Sequence, residues 1–475
     1  MTGQNKTRPS LATNEYFAVL AAKLSATAIK MTGAGLASNL PGKIARRISP
    51  AVLPSLSAQC RQGVVAVSGT NGKSTTSGLV SSILRQAGLK IVHNRQGANL
   101  VPGITASLID AASWGGGVDA DYGLFEIDEA ALPVVAKEVP ILAVVVTNLF
   151  RDQLDRFGEL DTTGKLIASG IAQNSSQAIL NADDPNVAQL VPEAGKIFYG
   201  VASLAEEPAN GKPKAKDGGI PQSGTSELSY CLNCGGEFSY ELIFYGQLGH
   251  YTCPQCQRRR PQPDVYAENV KVEAESSTFT LVYGSERIEV SLPLPGMFNV
   301  YNALAASALA YFLKLPPAPV KEGLTRYQTL FGRSERLKVF DKDTLIQLIK
   351  NPAGASQAVK AAASDPKGRI LIAINDNYAD GRDVSWLWDA EFEHLSDHGK
   401  TIVVSGQRCY DMALRLKYGG FPEEHIEIVP ALEEALNVSL EKTSTEETLW
   451  ILPTYTCLLD LQKIMKKLGY ALSST

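Results

Sequence analysis

"VVAVSGTNGKSTTSGLV", residues 64–80, runs from an apolar, β-branched stretch through a glycine turn into helix-forming sequence. That order puts a helix N-terminus, with its unpaired N–H groups and partial positive charge, at the end of a strand. Gly69 and Gly72 let the backbone N–H groups between them, including those of Thr70 and Asn71, face a phosphate. Lys73, Ser74 and Thr75 then open the helix. Lys73 supplies a point charge for the outer phosphates, and the Ser74 hydroxyl suits Mg²⁺. The general phosphate-loop pattern asks for a further glycine five residues before Gly72, where this chain has Val67. A chance Gly-Lys-Ser turn is the alternative; nucleotide binding is the expectation.

Outward from the loop the same rhythm repeats. "IVHN", "YGLFEID", "ILAVVVTN", "QAILNADD" and "KIFYG" are short apolar runs that end in polar turns, most of them followed by helix-like sequence. Such a pattern predicts an α/β fold with a mostly parallel sheet covered on both faces. Two strand ends carry acids: Glu126, Asp128 and Glu129 in one, Asp152 and Asp155 in the next. In a parallel sheet these ends lie beside the loop, and oxygen ligands suit Mg²⁺. Glu126 is the first choice, because alternation turns it away from Phe125 and Ile127.

A chain of 475 residues is too long for one hydrophobic core. Residues 1–60 read as a helical extension and 61–332 as a nucleotide-binding domain. Within that domain lie a Gly-, Pro- and Lys-rich linker, 205–227, and a cysteine module at about 228–262. A second α/β domain, 333–475, is marked by "DTLIQLI", "RILIAIN", "TIVVSG", "IEIVP" and "TLWILP". A net charge of −4 argues against a general nucleic-acid binder. The longest apolar runs, such as "VPILAVVVTNLF", fall short of the ~20 residues that span a bilayer. The opening stretch has no apolar core of signal-peptide type, so a cytoplasmic location is expected.

Of seven cysteines, Cys60, Cys409 and Cys457 are isolated and read as small buried apolar residues. Cys231, Cys234, Cys253 and Cys256 form two C-x2-C knuckles, the spacing of a four-thiolate structural zinc site. His250 lies between the knuckles and is a spare ligand at most. Arg258–Arg260 beside them read as a solvated basic turn, or as a contact for anionic headgroups.

The motifs "SGTNGKST", "TNLFRDQLDRFGE", "LNADDP" and "GMFNVYNALAA", in this order and spacing, resemble the ATP-dependent Mur ligases of cell-wall synthesis over roughly residues 61–332. The resemblance implies a Mur ligase-like central ATPase domain in which ATP phosphorylates a carboxylate and a nitrogen nucleophile attacks the acyl phosphate. Carried over by motif, Gly69 to Thr75 bind the phosphates, Ser74 and Glu126 hold magnesium, Asn302 meets the adenine and Arg333 reaches the nucleotide. Read from the residues alone, Asn302 begins a helix and could simply cap it. The departures are informative. Gln153 stands where Mur ligases carry a metal-binding histidine, Lys165 is out of register with their carbamylated lysine, and no UDP-binding domain precedes the first strand. Asp376-Asn377-Tyr378-Ala379 replaces the Asp-Asn-Pro-Arg motif that grips an incoming amino acid.

One branch of the family is similar in all these respects, including the inserted four-cysteine zinc ribbon and the loop "NDNYADGRDVSWLWD". It implies amidation of the D-glutamate α-carboxylate in the lipid II stem peptide, at the inner membrane face. Ammonia would come from a GatD-like glutaminase in a heterodimer. A glutaminase of cysteine–histidine type wants an acid to orient its histidine. The resemblance places that acid in trans, at Asp383. Asp376 and Asp380 remain alternatives, as do helix capping and a local salt bridge. Trp386 and Trp388 suit either an interface or the core. A Mur- or folylpolyglutamate synthase-like ligase that adds an amino acid is the competing function.

Overall fold

The computed structural model describes residues 10–32, 39–94, 98–150, 160–191, 195–205, 230–231, 233–273, 276–327, 333–396, 399 and 401–470. The chain divides into two compact units, one drawn mainly from residues 1–327 and one centred on 328–475.

In the first unit, α1 (Thr13–Thr32), α2 (Leu40–Ile48) and α3 (Val52–Ser57) precede β1 (Gly63–Ser68). α4 (Lys73–Gln86), β2 (Ile91–His93), α5 (Val101–Ala111), β3 (Tyr122–Glu126), α6 (Leu132–Glu138) and β4 (Ile141–Val146) follow. Then come α7 (Leu160–Gln173), β5 (Gln177–Asn181), α8 (Pro185–Ala188) and β6 (Lys196–Val201). The hairpin β7 (Ser239–Tyr245) and β8 (Leu248–Thr252) forms a small sheet of its own. The unit ends with β9 (Val265–Val272), β10 (Ser277–Tyr283), β11 (Glu286–Leu292), α9 (Met297–Phe312) and α10 (Pro317–Thr325).

The main sheet has the order β11-β10-β9-β6-β5-β4-β1-β3-β2. Pairing is parallel from β2 to β9, and β9, β10 and β11 close one edge as an antiparallel meander. The parallel sheet read from the apolar runs is therefore present. β1 and β4 are almost wholly buried, as strands covered on both faces must be. From β1 the chain crosses to β2 at the far edge, returns to β3, then places β4 on the other side of β1. This reversal opens a crevice at the carboxyl end of β1, where such sheets bind ligands. α2 joins α6 through Arg46, whose two arms meet Glu138 at 2.6 and 2.8 Å. The ribbon hairpin is inserted between β6 and β9, strands that are themselves neighbours; the linker residues 206–227 lie outside the described residues.

The second unit carries β12 (Arg333–Val339), β13 (Lys342–Gln347), α11 (Pro352–Ser364), β14 (Gly368–Ala373), α12 (Trp386–Asp389) and β15 (Ile402–Ser405). α13 (Cys409–Tyr418), β16 (Ile426–Ile428), α14 (Leu432–Lys442), β17 (Thr448–Pro453) and α15 (Tyr455–Lys467) complete it. Its sheet order is β12-β13-β17-β14-β15-β16, parallel except for the β12–β13 hairpin. Alternation sorts the side chains onto two cores. Ile370, Ile372, Ile402, Val404, Trp450 and Leu452 face one, and Leu371, Val403, Leu449 and Ile451 face the other. Among the described residues, no helix is long and apolar enough to cross a membrane.

Candidate active site

The loop after β1 is shaped by two positive-φ glycines, Gly69 at +117° and Gly72 at +82°. A side chain on Gly69 would run into Thr147 Oγ1 and the Asn148 carbonyl, and one on Gly72 into the Asn302 amide. Glycine is needed at both places for close approach as well as for φ. The loop is stapled from β4 by Asn148. Its carbonyl accepts from Thr70 N at 2.9 Å, its Oδ1 accepts from Asn71 N at 2.9 Å, and its Nδ2 donates to Asn71 O at 3.1 Å. Sequence reading missed Asn148; the signal was a Thr-Asn pair ending an otherwise apolar strand.

Gly72 caps α4, so Lys73, Ser74 and Thr75 form its first turn. Lys73 Nζ donates to Glu129 Oε1 at 2.7 Å and to Thr70 O at 3.2 Å. Burial raises the Glu129 carboxyl above its usual range, and the Lys73 charge opposes that rise. Glu129, read from sequence as one more acid at a strand end, is thus the lysine's partner. The Ser74 hydroxyl donates to Glu126 Oε2, and both residues are buried. Glu126 is aligned by Asn94, which accepts from its N–H at 2.8 Å and donates to its carbonyl at 2.7 Å. The Ser74–Glu126 pair is a hard oxygen donor set at the phosphate loop, of the kind that fits Mg²⁺.

Asn302 lies within α9, past the first turn, and the N-cap is Gly296. The capping alternative is therefore wrong, because the helix begins six residues earlier than a cap at Asn302 would require. Its Oδ1 accepts from Thr76 Oγ1 at 3.2 Å, which places the amide over the start of α4. Arg333 opens β12, but its side chain lies outside the described residues, as do Asp152, Gln153 and Asp155.

The sulfurs of Cys231, Cys234, Cys253 and Cys256 lie within 4.8 Å of one another, with two pairs at 3.5 Å. A tetrahedron with ~2.3 Å metal–sulfur bonds needs sulfurs about 3.8 Å apart, so the quartet fits zinc. A backbone N–H of Arg258 pulls the Cys256 thiol down while the neighbouring sulfurs push Cys234 up, so the quartet shares its protons as one group. Burial instead pushes Cys60 up to about 11 and Cys457 up to about 12, which suits their reading as inert core residues. His250 stands outside the quartet, with Nε2 2.8 Å from Val201 O.

Arg258 and Arg259 are exposed, as a solvated basic turn would have them, but Arg260 is drawn inward. Arg258 donates to Gln189 at 2.6 Å, and Arg260 forms an ion pair with Asp183, which is fully buried. The adjacent Asp184 caps α8 at Asn186 and accepts from Leu149 N at 2.9 Å. Burial pushes its carboxyl up to about 6.

In the second unit the aspartate loop leaves the carboxyl end of β14, beside β17. Asp380 is buried and accepts from Thr456 N at 2.7 Å, so it fixes the loop to α15. Asp376 pairs with Arg408 at 2.7 Å. Asp383 is half-buried, and its Oδ1 accepts from Ser385 N at 2.8 Å just before α12. Arg415 holds the far end through the carbonyls of Leu387 and Ala390, at 2.8 and 2.7 Å. Trp386 packs on the core, whereas Trp388 is exposed and lies over Arg415.

Comparison with solved structures shows the same architecture. A pseudomurein peptide ligase type C from Methanothermus fervidus matches with a TM-score of 0.68 at 23% identity, covering 86% of this chain and 79% of that one. MurF from Acinetobacter baumannii matches with a TM-score of 0.62 at 17% identity, covering 90% and 80%. The fold is that of the Mur ligases, and the Mur ligase middle domain model matches residues 67–247 and 233–310. The MurT ligase C-terminal model matches residues 348–458. The lipid II isoglutaminyl synthase (glutamine-hydrolyzing) subunit MurT of Staphylococcus aureus (strain N315) is 35% identical over 448 residues, 94% of this chain and 96% of its own. The subunit of the same name from Streptococcus pneumoniae (strain ATCC BAA-255 / R6) is 34% identical over 441 residues, 91% and 93%. The chain belongs to the family of these MurT subunits.

Proposed function

We propose that this chain is the synthetase subunit of a glutamine-hydrolysing lipid II isoglutaminyl synthase. The observation that carries the reading is the near full-length likeness to MurT subunits, joined to an intact phosphate loop. The γ-phosphoryl group of ATP passes to the α-carboxylate of D-glutamate in the stem peptide. Ammonia from a GatD-like glutaminase then attacks the acyl phosphate, the carbon–oxygen bond breaks, and phosphate leaves with the amide formed.

The loop from Gly69 to Thr75 holds the phosphates, with Lys73 exchanging part of its pairing with Glu129 for phosphate oxygens. Ser74 and Glu126 would hold Mg²⁺, which when bound neutralises charge on the phosphates. Asn302 reads the adenine. Zinc in the cysteine quartet is structural. Asp383 serves the glutaminase: Asp380 and Asp376 are held by Thr456 and Arg408, whereas Asp383 has one oxygen engaged by its own turn. The protein works on a lipid-linked substrate at the cytoplasmic membrane face.

The test is an assay of the complex with lipid II, Mg²⁺, ATP, and either glutamine or ammonium. ADP and amidated lipid II should appear in equal amounts. No ADP with every component present would overturn the reading, and ADP formed only with a free amino acid would mark an amino-acid-adding ligase instead.

A further inference from the structure

The cysteine ribbon meets the parallel sheet at one point in particular. Arg260 follows the second knuckle, and its backbone is fixed to the ribbon hairpin by a 3.0 Å bond from its N–H to Tyr251 O. Its side chain turns inward, with Nε on Asp183 and Nη2 3.0 Å from Val201 O. The other oxygen of Asp183 accepts from Val201 N and from the Tyr301 hydroxyl, both at 2.7 Å. Gly249 of the hairpin donates to the Asp183 carbonyl at 2.9 Å. Phe244 and Tyr245, on β7, lie against the Tyr301 ring at 6.3 and 5.8 Å.

Tyr301 immediately precedes Asn302 on α9. The same helix turn is therefore gripped by the ribbon through one residue and set against Gly72 and Thr76 through the next. We infer that Arg260 is a positioning residue for the nucleotide, bracing α9 through Asp183 and Tyr301 so that Asn302 keeps its place over the phosphate loop. The ribbon's use, on this inference, is to hold an arginine. The physical reason is the cost of Asp183: a fully buried carboxylate is held in place only by a geometrically matched cation and donors. Removing the cation leaves the acid to recruit a new partner or a proton, and the Tyr301 hydroxyl is a side-chain donor already on it. The inference rests on the reading of Asn302 as the base-binding residue.

The test uses the full chain in its complex. Arg260→Met removes the cation; Arg260→Lys keeps the charge but cannot span Asp183 and Val201 together. Mg-ATP and inorganic tripolyphosphate are titrated in parallel, with bound zinc measured in each preparation. Arg260→Met should weaken ATP binding about tenfold and Arg260→Lys about threefold, with tripolyphosphate changed less than about twofold and zinc retained. In turnover the loss should fall on the KM for ATP rather than on kcat. If Arg260→Met does not accumulate folded, Arg260→Lys carries the test alone. ATP affinity unchanged in the folded variants, or equal losses for ATP and tripolyphosphate, would overturn the brace. Asn302→Ala separates the two readings. Unchanged ATP affinity there removes the base-binding role and the brace with it, while weakened affinity there beside an unaffected Arg260 variant removes the brace alone.

Discussion

Asp184 shows how far burial reshapes a single group. Its carboxyl is pushed up to about 6 by loss of water, with the N–H groups of Leu149 and Asn186 pulling the other way. The unfolded chain returns it to the ordinary value near 4. A folded pKa above the unfolded one means the contribution is fully present below about pH 4 and lost as pH rises through about 6. By pH 7 that loss amounts to roughly 3 kcal/mol. Asp184→Asn removes the titration while keeping an acceptor for the α8 cap. Urea unfolding between about pH 4 and pH 7 should move the stability difference in the variant's favour by roughly that amount. A difference that stays constant with pH would show that Asp184 titrates alike in both states. Lys73 is a second residue-scale case, because its amine is shared between an acid and the loop carbonyls. Lys73→Ala should abolish ADP formation, by about a thousandfold or more, without changing the circular dichroism of the chain. Retained turnover would remove the loop from the reaction.

At the scale of elements, the ribbon is the piece whose chemistry is plain in the sequence and whose placement is not. Two C-x2-C knuckles declare a metal site because sulfur ligands at that spacing close one tetrahedron. The strands of both sheets are equally plain, since buried parallel strands must be apolar throughout. So is the phosphate loop, because glycine is the residue that tolerates its φ values and the approach of Asn302. Hidden are the long-range polar contacts. Arg260 and Asp183 are 77 residues apart, and nothing in "CQRRRPQPDV" separates an arginine that folds inward from one that stays in water. Asn148 escapes notice because an asparagine at a strand end looks like any turn residue. The start of α9 reads too late from sequence because Gly296, rather than an asparagine, supplies its cap. Cys231→Ser takes one sulfur from the quartet and should release the zinc, measured by a colorimetric chelator, and loosen β7 and β8 in hydrogen exchange. Stoichiometric zinc in the variant would show that the ligand set is wrong.

For the whole molecule, the proposed reaction is divided between this chain and a second protein, and the aspartate loop is where the division can be read. Asp380 and Asp376 are committed to Thr456 and Arg408 within the second unit. Among the described residues Asp383 is held only by the turn to Ser385, on a stretch pinned at one end by Asp380 and at the other by Arg415. Further along the same stretch Trp388 stands against Tyr418, two exposed rings 6.0 Å apart, of the residue types that anchor protein interfaces. A histidine in a cysteine-based glutaminase needs an acid for its orientation and for its charged form, and losing such an acid costs on the order of 10⁴ in related triads. The amide-forming half needs no such acid, because free ammonia already carries the lone pair that attacks the acyl phosphate. Asp383→Asn should therefore reduce glutamine-driven amidation by about a hundredfold or more, while amidation driven by added ammonium stays within about twofold of the unaltered complex. The two rates must be measured on complexes of equal stoichiometry, so that a weakened interface is not read as a lost acid. Equal loss with both nitrogen sources would move Asp383 into the synthetase reaction, and no loss with either would return the role to Asp376 or Asp380.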